Sequence, residues 1–241
     1  DKVVSRHTSV VGKPERPTPL LQTTIYEMNF NPVWRLPPTV VQEDLIPRGR
    51  AMQKAGKNVL VKFGIDAYDG NGRKLDPEKI NWSSGQPHSL SYSQQPGKDN
   101  PLGFLKINFA NSYSVYMHDT NHKEFFSADY RFQSSGCTRV ENPRDLAAWV
   151  LEETPGWSRR EIDAAIAKGQ KVDVRVAHKI PVAWIYLTGW ATRDGTIHFR
   201  DDIYGHDDKP ALVADLRPSV ASAARASGFI LQSADSAPVI E

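Results

Sequence analysis

The stretch Met117–Val140, M-H-D-T-N-H-K-E-F-F-S-A-D-Y-R-F-Q-S-S-G-C-T-R-V, carries the only cysteine of the 241-residue chain. Cys137 sits in Ser134-Ser135-Gly136-Cys137-Thr138-Arg139, and His118 lies nineteen residues upstream at the end of an expected strand. A lone thiol among small residues and a cation, with a separate imidazole within reach of the fold, is the raw material of nucleophilic acyl transfer. A free thiol titrates near 8.5, so only about 3% is thiolate at pH 7 unless the site helps. Help is available from Arg139, from His118 and from a helix N-terminus expected at Asn142-Pro143. Gly136 lets the backbone turn sharply, which makes the amides of Gly136 and Cys137 the oxyanion-hole candidates. Ser134 and Ser135 are small enough to donate hydrogen bonds without crowding a peptide. An orienting partner for the imidazole is nearest at residue 119, through its main-chain carbonyl or its Asp side chain.

The bland readings set the threshold. A solitary cysteine is by default buried filler, but Ser-Ser-Gly and Thr-Arg are poor core neighbours. On the residues alone His118 reads first as a hydrogen-bonded strand-end histidine, and Arg139 equally as an ion pair with Glu141 or Asp145. His118 and His122 are spaced i, i+4, and would bind zinc with Cys137 only on a helix with a further ligand. Neither condition is apparent, so no metal and no cofactor is expected. Of the six tryptophans, Trp34 and Trp82 are the credible pocket walls and the rest read as packing.

Outward from this segment the pattern is β-rich. Leu105, Ile107 and Phe109 alternate with Lys106 and Asn108, and Ser114–His118 follows as a second strand. Val10-Val11-Gly12 reads as a strand ahead of a proline-punctuated run. Beyond Cys137, Asn142-Pro143 starts one helix and the capping box Ser158–Glu161 starts another, which Gly169 closes. Val172, Val174 and Val176 alternate, and a hairpin follows from Val182–Ala191 through Asp194-Gly195 to Thr196–Ile203. Between Phe30 and Pro87 the pattern is irregular: Pro37-Pro38, then a capping-box spacing at Thr39 with a helix that Pro47 should stop, then Asp76-Pro77 as a short capped turn. The expected class is α+β and β-rich, with 30–87 an inserted subdomain lying over something.

Charge excludes several partners. Thirty Lys+Arg against 28 Asp+Glu leave a net of +2, too weak and dispersed for a nucleic-acid backbone. No apolar run approaches the roughly 18 residues of a membrane span. No signal-peptide pattern opens the chain, which begins as if in mid-strand and reads as a trimmed fragment.

His118 with Ser134-Ser135-Gly136-Cys137-Thr138-Arg139-Val140 resembles the signature of the L,D-transpeptidases, closest to the large periplasmic Gram-negative branch. The resemblance extends to Tyr116-Met117-His118-Asp119-Thr120, Val11–Pro19, Asn31–Trp34 with Pro37-Pro38-Thr39, and Gln95–Gly103. Thr138 stands where a branched apolar residue is usual, and Glu141 precedes Asn142 where Asn more often follows the valine directly. The resemblance implies a mixed β-sandwich-like catalytic domain over 1–29 and 88–218, a capping lid over 30–87 and an Ala/Ser-rich tail over 219–241. It implies Cys137 as nucleophile, His118 as base, the Asp119 carbonyl as orienter, Gly136 as oxyanion amide, and Arg139, Ser134, Ser135 and Tyr116 as substrate contacts. The implied partners are a donor tetrapeptide and an acceptor stem of peptidoglycan, with carbapenems as covalent inhibitors. The implied place is the periplasm, with an inner-membrane anchor ahead of Asp1. A carboxypeptidase or endopeptidase, a transferase attaching proteins to the wall, and an inactive peptidoglycan-binding module remain alternatives. The sequence fixes no oligomeric state.

Overall fold

The computed structural model describes residues 3–208, so the tail expected over 219–241 lies outside the described residues. The strands are β1 (Ser9–Gly12), β2 (Leu21–Phe30), β3 (Trp34–Arg35), β4 (Ile65–Tyr68), β5 (Ser91–Gln94) and β6 (Leu105–Phe109). They continue with β7 (Met117–His118), β8 (Phe132–Ser134), β9 (Thr138–Val140), β10 (Val172–Trp184), β11 (Gly189–Ala191) and β12 (Ile197–Phe199). The helices are α1 (Pro38–Val40), α2 (Ile46–Lys54), α3 (Val59–Phe63), α4 (Pro143–Val150) and α5 (Arg159–Ala167). A seven-stranded mixed sheet runs in the order β10-β2-β6-β7-β9-β1-β8. Chain contacts divide the protein into one unit of Asp1–Thr18 with Thr24–Ile180, and another of Pro19–Thr23 with the chain from Pro181 onward.

The alternation in β6 sorts its two faces. Leu105 and Ile107 are fully buried and pair across the sheet with Phe30 and Met28 of β2, which are equally buried. The core continues into α4 and α5, where Ala147, Val150, Ile162 and Ala165 are buried at helical spacing. Phe30 stacks on Trp157 at 5.2 Å, and the Asn31 amide donates to the Ala165 carbonyl at 2.9 Å, tying the end of β2 to α5. Ser158 caps α5 as its capping box predicts, accepting from the Arg160 N–H. Asn142 flanks α4 in the left-handed region with φ 51°, so it reverses the chain there and makes no side-chain cap.

The segment between β2 and β6 has a second core of its own. β3, β5 and β4 form a three-stranded sheet, and Val41, Leu45, Ile46, Val59, Leu60 and Trp82 pack as one cluster against it. Two expectations fail here. Pro47 does not stop a helix: Val41–Leu45 makes a π turn with the Ile46 N–H bonded to the Val41 carbonyl, and α2 continues to Lys54. The wider turn leaves Pro47 in the first turn of the next helix, where its missing N–H is not required. Thr39 accordingly lies inside α1 and caps nothing. Trp82 packs into this core, 2% exposed and stacked on Tyr92 at 6.1 Å, and its edge borders a pocket with Gln53, Asn58 and Pro77. In the other unit, the expected hairpin shrinks to Gly189–Ala191 paired with Ile197–Phe199, because Val182–Trp184 prolong β10.

Gly49 marks how closely α2 approaches Trp82, since a Cβ there would sit 2.3 Å from the indole Cδ2. Gly49→Ala is therefore expected to destabilise the protein by about 1–3 kcal/mol despite its better helix propensity. Chemical denaturation measures this, and an unchanged midpoint would mean that the indole retreats at no cost.

Candidate active site

β7 and β9 run parallel, with Met117 opposite Thr138 and His118 opposite Arg139. Side chains alternate along a strand, so this register places Tyr116, His118, Cys137 and Arg139 on one face and Met117 with Thr138 on the other. Met117 and Thr138 are buried in the core. The first four line one cavity of about 360 Å³, together with Trp34, Pro37, Thr39, Val40 and Asp44 of the segment between β2 and β6. Two residues far apart in sequence thus meet on one wall. Thr138 faces away from that wall. Glu141 is occupied through its backbone, its N–H donating to the Thr8 carbonyl and its carbonyl facing His7 Nδ1 at 2.9 Å.

The imidazole is held in one orientation. His118 Nδ1 bonds the Asp119 main-chain carbonyl. The Asp119 carboxylate is committed elsewhere, to the Lys123 ammonium and to the Phe104 N–H at 3.1 Å. The carbonyl alternative therefore describes this site. Gly103 makes room for that carboxylate, because it takes φ 58° and a Cβ there would lie 2.1 Å from Asp119 Oδ2. Burial pushes the His118 pKa down to about 3, and the Arg139 charge adds to the effect. Lys106, opposite His118 on β6, acts in the same direction, while the Asp119 and Pro101 carbonyls oppose it. The ring is neutral at ordinary pH. With its Nδ1 proton given to Asp119, Nε2 is left as the basic atom.

The thiol sits among opposing influences. Burial raises the Cys137 pKa, whereas hydrogen bonds from Tyr116 and the charges of Lys106 and Arg139 lower it. The Tyr116 hydroxyl accepts from Trp34 Nε1 at 3.2 Å and also bonds the thiol, and burial raises its own pKa. Arg139 stacks on Phe125 at 5.2 Å, and its Nε and Nη1 are buried without a hydrogen-bond partner. A buried guanidinium with open donors favours an anionic or carbonyl oxygen in the cavity.

The cysteine loop is fastened by groups on either side of it. Ser134 Oγ donates to the Cys137 carbonyl at 2.5 Å and accepts from the Gly136 N–H at 3.1 Å. That N–H reaches a substrate oxygen only by giving up this bond. Thr18 accepts from the Gly12 N–H and donates to the Gly136 carbonyl, both at 2.9 Å. Arg16 donates to Ser135 Oγ at 3.0 Å and also pairs with Glu43 in the π turn, linking the cysteine loop to the segment between β2 and β6. Ser134 and Ser135 line the cavity but spend these hydroxyl bonds on the protein. His122 turns away to Glu124 at 2.8 Å and stacks on Phe125. Among the described residues no cluster of three His, Cys, Asp or Glu could hold a metal.

Lys106 is the group to which alternation assigns no role. Together with Asn108 it belongs to the polar face of β6, which looks like a solvent face in the sequence but lines a second cavity of about 340 Å³. Trp34, Leu102 and Tyr116 are common to both cavities. The Lys106 ammonium lies 4.3 Å from the Tyr116 ring centroid. Nothing in the strand's own pattern distinguishes a face covered by polar groups from one facing water.

A half-buried thiol, a neutral imidazole and a buried guanidinium at one cavity in a mixed sheet define a site with the parts of a cysteine acyltransferase. The family model of the YkuD L,D-transpeptidase catalytic domain matches residues 1–174, and the chain belongs to that family. A Haemophilus influenzae protein named "Putative L,D-transpeptidase" is 31% identical over 198 residues, 82% of this chain and 39% of that protein. The chain thus spans about two fifths of the length of the curated relative it matches.

His118 binds a proton in the unfolded chain below about pH 6.5 but resists it in the fold until about 3. Its contribution to stability is complete above the unfolded value and is lost as pH falls through that window. His118→Gln is expected to flatten the acid-side fall by about 1 kcal/mol per pH unit between pH 6 and 4. Urea titrations at several pH values measure the slope, and parallel curves for both proteins would contradict a neutral buried ring.

Proposed function

We propose that this chain is the catalytic domain of a periplasmic peptidoglycan transpeptidase that forms 3→3 cross-links through a thioester on Cys137. Family membership supports the reaction class, since YkuD domains are L,D-transpeptidase catalytic domains. The observation that carries the reading is the placement of Cys137 and His118 on one face of β7 and β9, at one cavity, with Nδ1 spoken for.

The steps balance as follows. His118 Nε2 takes the proton of the Cys137 thiol, and the sulfur attacks the carbonyl joining the third stem residue to terminal D-Ala. The C–N bond breaks, His118 returns the proton to the leaving amine, and D-Ala departs. A side-chain amine of a second stem then attacks the thioester, loses its proton to His118, and expels the thiolate, which is reprotonated. Two cations flanking the ring disfavour a standing imidazolium. His118 therefore acts as a neutral base and carries charge only in passing. Arg139, with its open donors, takes a substrate oxygen. The inserted segment, which lends Pro37, Thr39, Val40 and Asp44 to the cavity wall, excludes water so that the amine outruns hydrolysis. Carbapenems acylate the same sulfur.

Intact mass after meropenem treatment is expected to show one adduct on the native protein and none on Cys137→Ala; no adduct on either would favour a binding module. Given donor tetrapeptide and acceptor, the native protein should release D-Ala and accumulate cross-linked dimer. His118→Ala should slow that release by about 10²–10⁴-fold. D-Ala release with no dimer would point instead to a hydrolase on the same scaffold.

A further inference from the structure

Lys106 is charged and largely covered, and the steps above use it only as one of two cations beside the imidazole. It projects from β6 directly opposite His118, onto the face that carries the thiol. Its ammonium is seated over the Tyr116 ring at 4.3 Å, and Tyr116 in turn bonds the thiol through its hydroxyl. A lysine stem packed under an aromatic face is not a solvated surface charge. From this placement we infer that Lys106 is a positioning residue for the nucleophile: its fixed charge, delivered beside Tyr116, stabilises the Cys137 sulfur as it gives up its proton and keeps His118 uncharged.

Other charged groups bear on both ends of this arrangement. From β2 and β10, Glu27 and Asp173 attract the Lys106 ammonium, and Lys171 repels it. Those carboxylates are already engaged. Glu27 Oε1 accepts from Asn29 and Asn108 at 3.1 and 3.0 Å, and Asp173 pairs with Lys171 at 2.7 Å and with Asn29 at 2.8 Å. They stabilise a buried ammonium and offset part of its field at the sulfur, as Lys171 in turn offsets part of theirs. On the other side of the ring, Arg139 also favours the thiolate, but Glu124 faces that guanidinium and offsets part of its charge. Asp44, on the cavity wall contributed by the inserted segment, opposes an anionic sulfur. The sign at each target is fixed: a cation lowers the pKa of a neighbouring thiol and of a neighbouring imidazole alike. Removing Lys106 must therefore raise both.

The inference rests on Cys137 being the nucleophile, and the chain offers a clean readout because it has one cysteine. The rate of alkylation by iodoacetamide is followed against pH for the native protein, Lys106→Met and Lys106→Arg, with Cys137→Ala as the blank. Lys106→Met is expected to move the midpoint upward by about one pH unit and to slow alkylation about tenfold near pH 7. Lys106→Arg, which keeps the charge, should stay close to the native profile. Thermal melts establish that each variant is folded, and Lys106→Gln replaces the methionine variant if that one is not. Coincident profiles for the native and uncharged variants would overturn the assignment. So would an arginine variant displaced as far as the methionine variant, since shape rather than charge would then be at work. Alkylation requires no peptidoglycan, so a native protein that fails to cross-link stems while showing the predicted shift would sink the proposed function and leave this role standing.

Discussion

Everything at the site depends on the parallel pairing of β7 with β9 in a single register. A slip of one residue would turn Tyr116 and His118 into the core and bring Met117 to the surface, and the thiol would lose its imidazole. The register is protected from both sides. Met117 and Thr138 are buried on the inner face, and the Thr138 N–H bonds the Tyr116 carbonyl at 3.1 Å on the backbone itself. The same two-residue period that packs the core therefore aims the chemistry.

The outer face is expensive to hold. Burial opposes charge on the thiol, the imidazole, Lys106 and Arg139 alike. Two cations make the anionic sulfur tolerable and the cationic ring intolerable, so desolvation and Coulomb forces agree at His118 and compete at Cys137. The result is an imidazole that stays neutral and a thiol whose anion needs its neighbours. Arg139 keeps unpartnered N–H groups in the cavity wall, a cost that a bound oxygen would relieve.

The segment between β2 and β6 contributes from a core of its own. Its own cluster gathers around Trp82, with α2 pressed onto the indole through Gly49. Its hold on the site passes through few contacts: Trp34 to the Tyr116 hydroxyl, and Arg16 joining Glu43 to Ser135. Such sparse polar links favour a wall of the cavity over a second catalytic element.

Much of the site was legible as local sequence. The lone thiol among small residues, the strand ending in His118, the Ser158 cap and the β alternation each rest on interactions within a few residues. What failed did so for non-local reasons. The π turn that admits Pro47 brings Val41 and Leu45 into a core completed by Trp82, about forty residues later. Lys106 reads as a solvent residue because alternation reports two faces without saying what covers either. Thr18 and Arg16 gain their roles only when the turn after β1 comes to rest against Gly136 and Ser135. By itself the sequence determined which atoms are capable of the chemistry, since reactivity is a property of residue type and immediate neighbours. Tertiary structure alone decided their charge states and their company, because desolvation and Coulomb forces act through space between strands distant in the chain.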